Sequence, residues 1–304
     1  MKKIKKYVFV AAIGMLLMPS CTKDFQEKNA NPDAITDVTP DLLLTGILRS
    51  SVNQMVDQSW GIGNIVIQHT AKIQFVSEDR YTWGDRSGLW NSVYDNMRNV
   101  QLLLSLGENN NAPNYKAVAL VMRAWMYSLA TDAYGDIPYS EATQGISGIL
   151  QPKYDSQESI YDGILNDLET ANATFDPAAG TLVGDIIFSG DLNKWKKLAN
   201  SLRLRCLMRI SDKRDVKAAM QAVVANPSST PVFENNSDNG TLHYLTSAPN
   251  QFPLYTTRSG SFDEFRLSKT LDEKLKALDD PRIVVFAQPT DAGGIYSGVP
   301  NGLN

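Results

Sequence analysis

The residues able to do chemistry are few. Two histidines, His69 and His243, and two cysteines, Cys21 and Cys206, are the whole stock of imidazole and thiol. No His-Glu-x-x-His pair is present to hold a catalytic zinc, and no Gly-x-Ser-x-Gly elbow to raise a nucleophilic serine. A phosphate loop and a dinucleotide-binding glycine fingerprint are also missing. The sequence therefore implies no metal and no cofactor. Carboxylates need no such motif: a glycosidase works with two, held roughly 5–10 Å apart. Asp132 and Asp136 flank Tyr134-Gly135 just past a helical stretch, so a lipid-anchored glycoside hydrolase stays an alternative. Asp136 also precedes Ile137-Pro138, and in the plainer reading it caps or braces that turn. His69 falls on the apolar side of an expected helix, which gives it a structural role. Cys206 lies on an apolar stripe and reads as a core thiol.

The aromatic residues say more. Arg80-Tyr81-Thr82-Trp83-Gly84-Asp85-Arg86 mixes two aromatics with charges between two helical segments. A sugar is recognised by a flat ring stacked on its apolar face and by planar polar groups on its hydroxyls. The expected ligand-binding residues are therefore Trp83, Tyr81, Arg80, Asp85 and Arg86, with Trp60, between Ser59 and Gly61, as a second candidate. The alternative is that Tyr81 and Trp83 pack beneath the loop as a small satellite cluster. Tyr244, Phe252, Tyr255, Phe262 and Tyr296 sit in later loops, and nothing ranks them. Trp90, Trp125 and Trp195 lie on apolar stripes and are assigned to the core.

The elements that must position this loop are helices. Apolar residues recur at spacings of three and four in Asp41–Gln54, Leu89–Leu106, a stretch from Pro113 to about Ala133, and Asp191–Ile210. The Ile62–Phe75 stretch follows the same period through Ile62, Val66, His69 and Ile73. Gly107 is expected to stop the second of these helices. Asp155, three residues before Glu158, resembles a capping box opening a further helix. Shorter helices are expected at Asp215–Ala225 and Ser268–Leu278. Asn226–Phe265 and Arg282–Asn304 are rich in Gly, Pro, Ser and Asn and read as long loops with room for a small hairpin. Arg203, Arg205 and Arg209 alternate with apolar positions; pairing with acids of a neighbouring helix is favoured over a solvated role in contact with a partner. The fold class is mainly α: antiparallel helix pairs joined by turns, with long irregular loops, a pattern that suits a degenerate helical-repeat scaffold.

The N-terminus adds a targeting signal. Lys2, Lys3, Lys5 and Lys6 precede a twelve-residue apolar run, Tyr7 to Met18, and then Pro19-Ser20-Cys21. That order is a secretory signal, too short to span a bilayer, which takes ~20 residues. Residues 1–20 are expected to be a lipoprotein signal peptide and Cys21 the acylated residue, although Met18 and Pro19 depart from the usual lipobox. An ordinary secretory signal with an incidental cysteine is the alternative. Acyl chains contribute ~0.8 kcal/mol per buried methylene, so two or three of them anchor a protein firmly. Residues 21–40 read as a flexible tether and 41–304 as the helical domain, which looks cut short at its C-terminal end. Removing residues 1–20 takes away four lysines and no acid, moving the formal charge from −4 to −8. A nucleic-acid partner is excluded on that balance. Cys206 would then be the sole thiol, so no intrachain disulfide can form.

Three segments together resemble the SusD/RagB-like family. Trp90-Asn-Ser-Val-Tyr-Asp-Asn-Met-Arg-Asn99 is similar to its Trp-x-x-x-Tyr-x-x-Ile-x-Asn helix. Arg123-Ala through Tyr134-Gly-Asp-Ile-Pro138 is similar to its helix and turn ending in Tyr-Gly-Asp-Val-Pro. Trp195-Lys-Lys-Leu-Ala-Asn-Ser-Leu-Arg-Leu-Arg205 is similar to its Trp-x-Lys-x-Ala-Asn-Ser-Leu-x-x-Arg helix. The resemblance implies a tetratricopeptide-like scaffold and a lipoprotein on the outer surface of a Bacteroidota outer membrane. It implies a lid on a SusC-like TonB-dependent transporter, binding an oligosaccharide or, in some members, a peptide, without catalysis. The shared motifs belong to the scaffold and carry over no ligand-binding residue.

Overall fold

The computed structural model describes residues 38–255, 264–290 and 293–303. The expected signal peptide, Cys21, almost all of the tether, and Phe262 lie outside the described residues. Within the unit Thr39–Asn304 the scaffold is a succession of helices.

Helix α1 (Pro40–Gln58) starts on a proline, whose fixed φ suits a first turn, and buries Leu44, Ile47, Leu48 and Ser51 along one face. It runs on through a π-helical turn, Ser59–Gly63, into the short α2 (Asn64–Val66). The helix expected to continue to Phe75 does not. Gln68 takes φ 56°, the chain turns, and Thr70–Lys72 becomes strand β1. Helical periodicity misled here because the competing partner is remote: β1 pairs antiparallel with β4 (Phe265–Leu267), setting Thr70 opposite Leu267 and Lys72 opposite Phe265. His69 is exposed rather than turned to an apolar face, and its carbonyl accepts a hydrogen bond from the Ser268 N–H.

Helix α3 (Ser87–Asn109) packs on α1 and on α4 (Pro113–Tyr134). Gly107 does not stop α3 but lies buried inside it. A Cβ there would come within 2.7 Å of the Lys116 backbone nitrogen, so glycine permits the close approach of α3 and α4. Helix α4 is central, with Ala117 through Met122 all buried. It ends at Gly135, φ 76°, whose N–H bonds the Thr131 carbonyl. Ile137–Pro138 (β2) then pairs with Tyr154–Asp155 (β3).

Helix α5 (Gln157–Thr174) is capped by Ser156, which accepts from the Ser159 N–H, and not by Asp155. Asp155 is drawn away to the backbone N–H groups of Tyr139 and Ser140 and the Ser140 hydroxyl. Asp136 braces the corner, as the plainer reading has it, by accepting from the Gln157 N–H at 2.9 Å. Helix α6 (Leu192–Arg209) is capped by Asp191 and buries Trp195, Ala199, Leu202 and Cys206. Arg203 pairs with Glu169 and Arg209 with Asp132, on α5 and α4, while Arg205 is exposed. The short α7 (Lys217–Val224) packs on α6.

Beyond α7 the described residues up to 255 are mostly irregular, and β4 leads directly into α8 (Lys269–Ala277), capped by Ser268. A brief parallel bridge joins Leu245 and Gln251 within the Asn226–Phe265 stretch, and the described part of the C-terminal loop includes the short helix α9 (Ile283–Phe286). The main core joins residues of α1, α3, α4, α5 and α6. No helix among the described residues is long and apolar enough to cross a membrane.

Candidate functional site

The segment between β1 and α3 turns tightly on itself. The Arg80, Tyr81 and Thr82 N–H groups bond back to Ser77 and Glu78 carbonyls, and Tyr81 closes the turn at φ 56°. Two carboxylates clamp it. Asp79, nearly buried, accepts from the Lys72 N–H and the Asn301 side-chain amide. Glu78 meets Lys72 at 3.4 Å and Arg86 at 3.1 Å. Burial pushes the Glu78 carboxyl up; hydrogen bonding by its own backbone and by Arg86, together with the Lys72 charge, more than offsets this and leaves it below the usual carboxylate range. Lys72 also pairs with Glu264 and lies 5.6 Å from the centre of the Phe265 ring.

On this frame the expected ligand residues divide. Tyr81 is 56% exposed and Trp83 half-buried, with ring centres 5.4 Å apart. The Arg86 guanidinium stands 5.9 Å from the Trp83 ring centre. These three share one surface. Arg80 turns away, donating to the Gly302 and Leu303 carbonyls. Asp85 accepts from the Ser87 N–H and thereby fixes the entry to α3. Trp60 belongs to the layer beneath: it is half-buried, 4.9 Å from Phe265. Of the later aromatics, Tyr244 bonds Asn53 and meets Phe252 edge-on, Tyr255 is exposed, and Tyr296 is half-buried.

Trp90 departs from the expectation of a core residue. It is half-buried, in contact with Tyr94, Tyr134 and Tyr154, because the corner formed by β2, β3 and the end of α4 brings tyrosines against its outer side. Periodicity put Trp90 on the apolar stripe but could not show that the facing residues are amphipathic. Trp125 is likewise only half-buried, whereas Trp195 is fully enclosed. Two clefts open on the helical scaffold. One of about 740 Å³ is lined by Asp132, Gln157, Tyr161, Arg209 and Lys213; the other, of about 460 Å³, by Gln101, Arg123, Tyr127, Tyr139 and Gln144. No residue of the 80–86 loop lines either.

The carboxylates weighed for hydrolysis are occupied. Asp132 accepts from the Tyr161 hydroxyl at 2.5 Å and pairs with Arg209 at 2.6 Å, while Asp136 serves the α5 N-terminus. Among the described residues no group of three or more His, Cys, Asp or Glu is placed to hold a metal ion. Cys206 is buried, and burial pushes its thiol up to about 11. It is expected to resist alkylation at pH 8 in the folded chain and to react promptly in denaturant, since the thiolate is the reactive form. Equal rates by mass spectrometry would place Cys206 at the surface.

Comparisons with known proteins agree with this architecture. The family described as starch-binding and associating with outer membrane matches residues 32–304. A SusD homologue from Bacteroides fragilis NCTC 9343 is 28% identical, with a TM-score of 0.73 over 88% of this chain and 59% of its own. A chitin-binding protein of known structure is 29% identical, with a TM-score of 0.73 over 87% of this chain and 60% of its own. A second Bacteroides fragilis NCTC 9343 SusD homologue is 26% identical, at a TM-score of 0.66 over 88% of this chain and 58% of its own. The chain thus spans about three fifths of the length of these structures. No curated protein matches it.

Proposed function

Because this chain belongs to the SusD-like family of starch-binding, outer-membrane-associated proteins, we propose that it is a lipoprotein, acylated on Cys21 and facing outward, that captures an oligosaccharide without altering it. It passes the glycan to a SusC-like TonB-dependent transporter. The observation that carries the reading is the 80–86 loop, where the Tyr81 and Trp83 rings meet at a tilt of 60° and the Arg86 guanidinium stands over Trp83, on a turn clamped by the Glu78–Arg86 ion pair. Such a platform offers stacking for a sugar face and a charged donor for its hydroxyls, with little side-chain freedom left to lose on binding. The engagement of Asp132 and Asp136 in structural bonds favours binding over hydrolysis. The relative described as chitin-binding supports a glycan as the ligand class.

Titration calorimetry of the full chain in detergent, against maltooligosaccharides and chitooligosaccharides, is expected to show saturable binding with every sugar recovered intact. Shortened products would point to the hydrolase instead. Trp83→Ala is expected to weaken affinity by about 1–3 kcal/mol with little change in melting temperature, since the ring is half-exposed. Unchanged affinity with a large fall in melting temperature would return Trp83 to a packing role. Protease shaving of intact cells tests the outward orientation: loss of the chain from the cell surface is expected, and full protection would overturn it.

A further inference from the structure

The aromatic surface does not end at the loop. The Arg86 carbonyl accepts from the Tyr134 hydroxyl at 2.8 Å, and the same hydroxyl oxygen accepts from the Trp90 N–H at 3.2 Å. The Tyr134 ring meets Trp90 edge-on at 5.4 Å, and Tyr154 stacks on Trp90 at 6.2 Å with 28° between the planes. Tyr154 is 64% exposed in spite of that contact, so its outer face is open. Trp83, Arg86, Tyr134, Trp90 and Tyr154 are thus linked one to the next by ring contacts and by hydrogen bonds through the Arg86 carbonyl and the Trp90 N–H.

We propose that Tyr154, backed by Trp90 and flanked by Tyr134, is a second sugar-stacking platform that extends the loop site and selects glycans longer than a disaccharide. This rests on the glycan-binding reading given above. The occupant follows from the chemistry of the surface. Its exposed rings are tyrosines, each with a polar edge, and Lys153 and Arg86 are exposed beside them. Alternating flat apolar faces and hydrogen-bonding rims match a pyranose better than the aliphatic side chains of a protein partner. The platform is also held in place before binding. Tyr154 lies in β3 opposite Pro138, and its neighbour Asp155 accepts from the Tyr139 and Ser140 N–H groups, so a ring at the surface stands on a fixed backbone.

The test uses the full chain in detergent and isotherms for maltose with maltoheptaose and for chitobiose with chitohexaose. Tyr154→Ala is expected to weaken the longer sugar about tenfold and leave the disaccharide unchanged. Tyr154→Phe, which keeps the ring, should bind the longer sugar as the parent does, and Tyr154→Leu, which keeps apolar bulk without a flat face, should behave like alanine. Trp83→Ala should weaken both lengths. If Tyr154→Ala and Tyr154→Leu leave the longer sugar unaffected while Trp83→Ala weakens it, the second platform falls and the loop site stands. Equal loss on both lengths would make Tyr154 part of a single site and also overturn the extension. If the parent chain binds neither series, the glycan-binding reading and the platform fall together.

Discussion

Asp185→Ala is expected to destabilise the fold by about 3–5 kcal/mol, one of the largest effects of any single polar substitution here. The Asp185 carboxylate, 8% exposed, collects four donors. One oxygen accepts from the Ile187 and Phe188 N–H groups at 2.9 and 3.1 Å, and the other from the Gly190 N–H and the Trp195 indole, both at 2.8 Å. It ties the linker ahead of α6 to the fully buried tryptophan that anchors that helix. Alanine removes every acceptor at once, and each stranded N–H buried away from water costs about 1–3 kcal/mol before any water enters. Asp185→Asn, which turns one acceptor into a donor aimed at other donors, should lose less but still more than 1 kcal/mol. Urea unfolding followed by tryptophan fluorescence measures both. A loss under about 1 kcal/mol for alanine would show that water or a rearranged linker replaces the carboxylate.

Asp185 also marks where sequence reading runs out. Helices α1, α3 and α6 are legible because their burial repeats every three or four residues and the signal is local; α4 is legible from its opening proline and long apolar run, although it is buried on several faces. The Tyr134-Gly135 corner is legible from its turn residues, Gly135, Asp136 and Pro138. What joins remote segments is not. β1 exists only because Phe265–Leu267 lies beside it, so Ile62–Phe75 reads as one helix until its partner is known. Gly107 reads as a stop because the chain does not announce that Lys116 will press against it. The candidate site divides in the same way. Its aromatic and charged composition is plain in Arg80–Arg86, yet the clamps on that loop come from Lys72, Glu264 and Asn301, scattered over more than two hundred residues. Trp90 shows the converse: its own periodicity is right, but the tyrosines of a later corner determine that it is only half-enclosed.

The Arg123–Asp167 pair carries the other large expectation. Arg123, in α4, donates from Nε and Nη2 to the two carboxylate oxygens of Asp167, in α5, at 2.7 and 2.6 Å. Asp167 is 3% exposed. Burial opposes the charge on Arg123, and the two bonds and charge of Asp167 more than offset that cost, so the guanidinium is held protonated. Asp167→Ala should therefore cost about 2–4 kcal/mol, because it leaves the half-buried Arg123 guanidinium without its carboxylate beside a new cavity. Arg123→Met should cost a similar amount by stranding the carboxylate. The double variant Arg123→Met with Asp167→Leu should recover most of the loss, since apolar groups of similar volume pack there without desolvating a charge. A strongly non-additive double-mutant cycle in urea, little changed by added salt, is the expected signature of a pair shielded from solvent. Additive losses would mean that each side chain contributes through its own packing. In that case the arginine that opens the Arg123–Pro138 segment would act as a spacer between α4 and α5, and the ion pair would contribute little of its own.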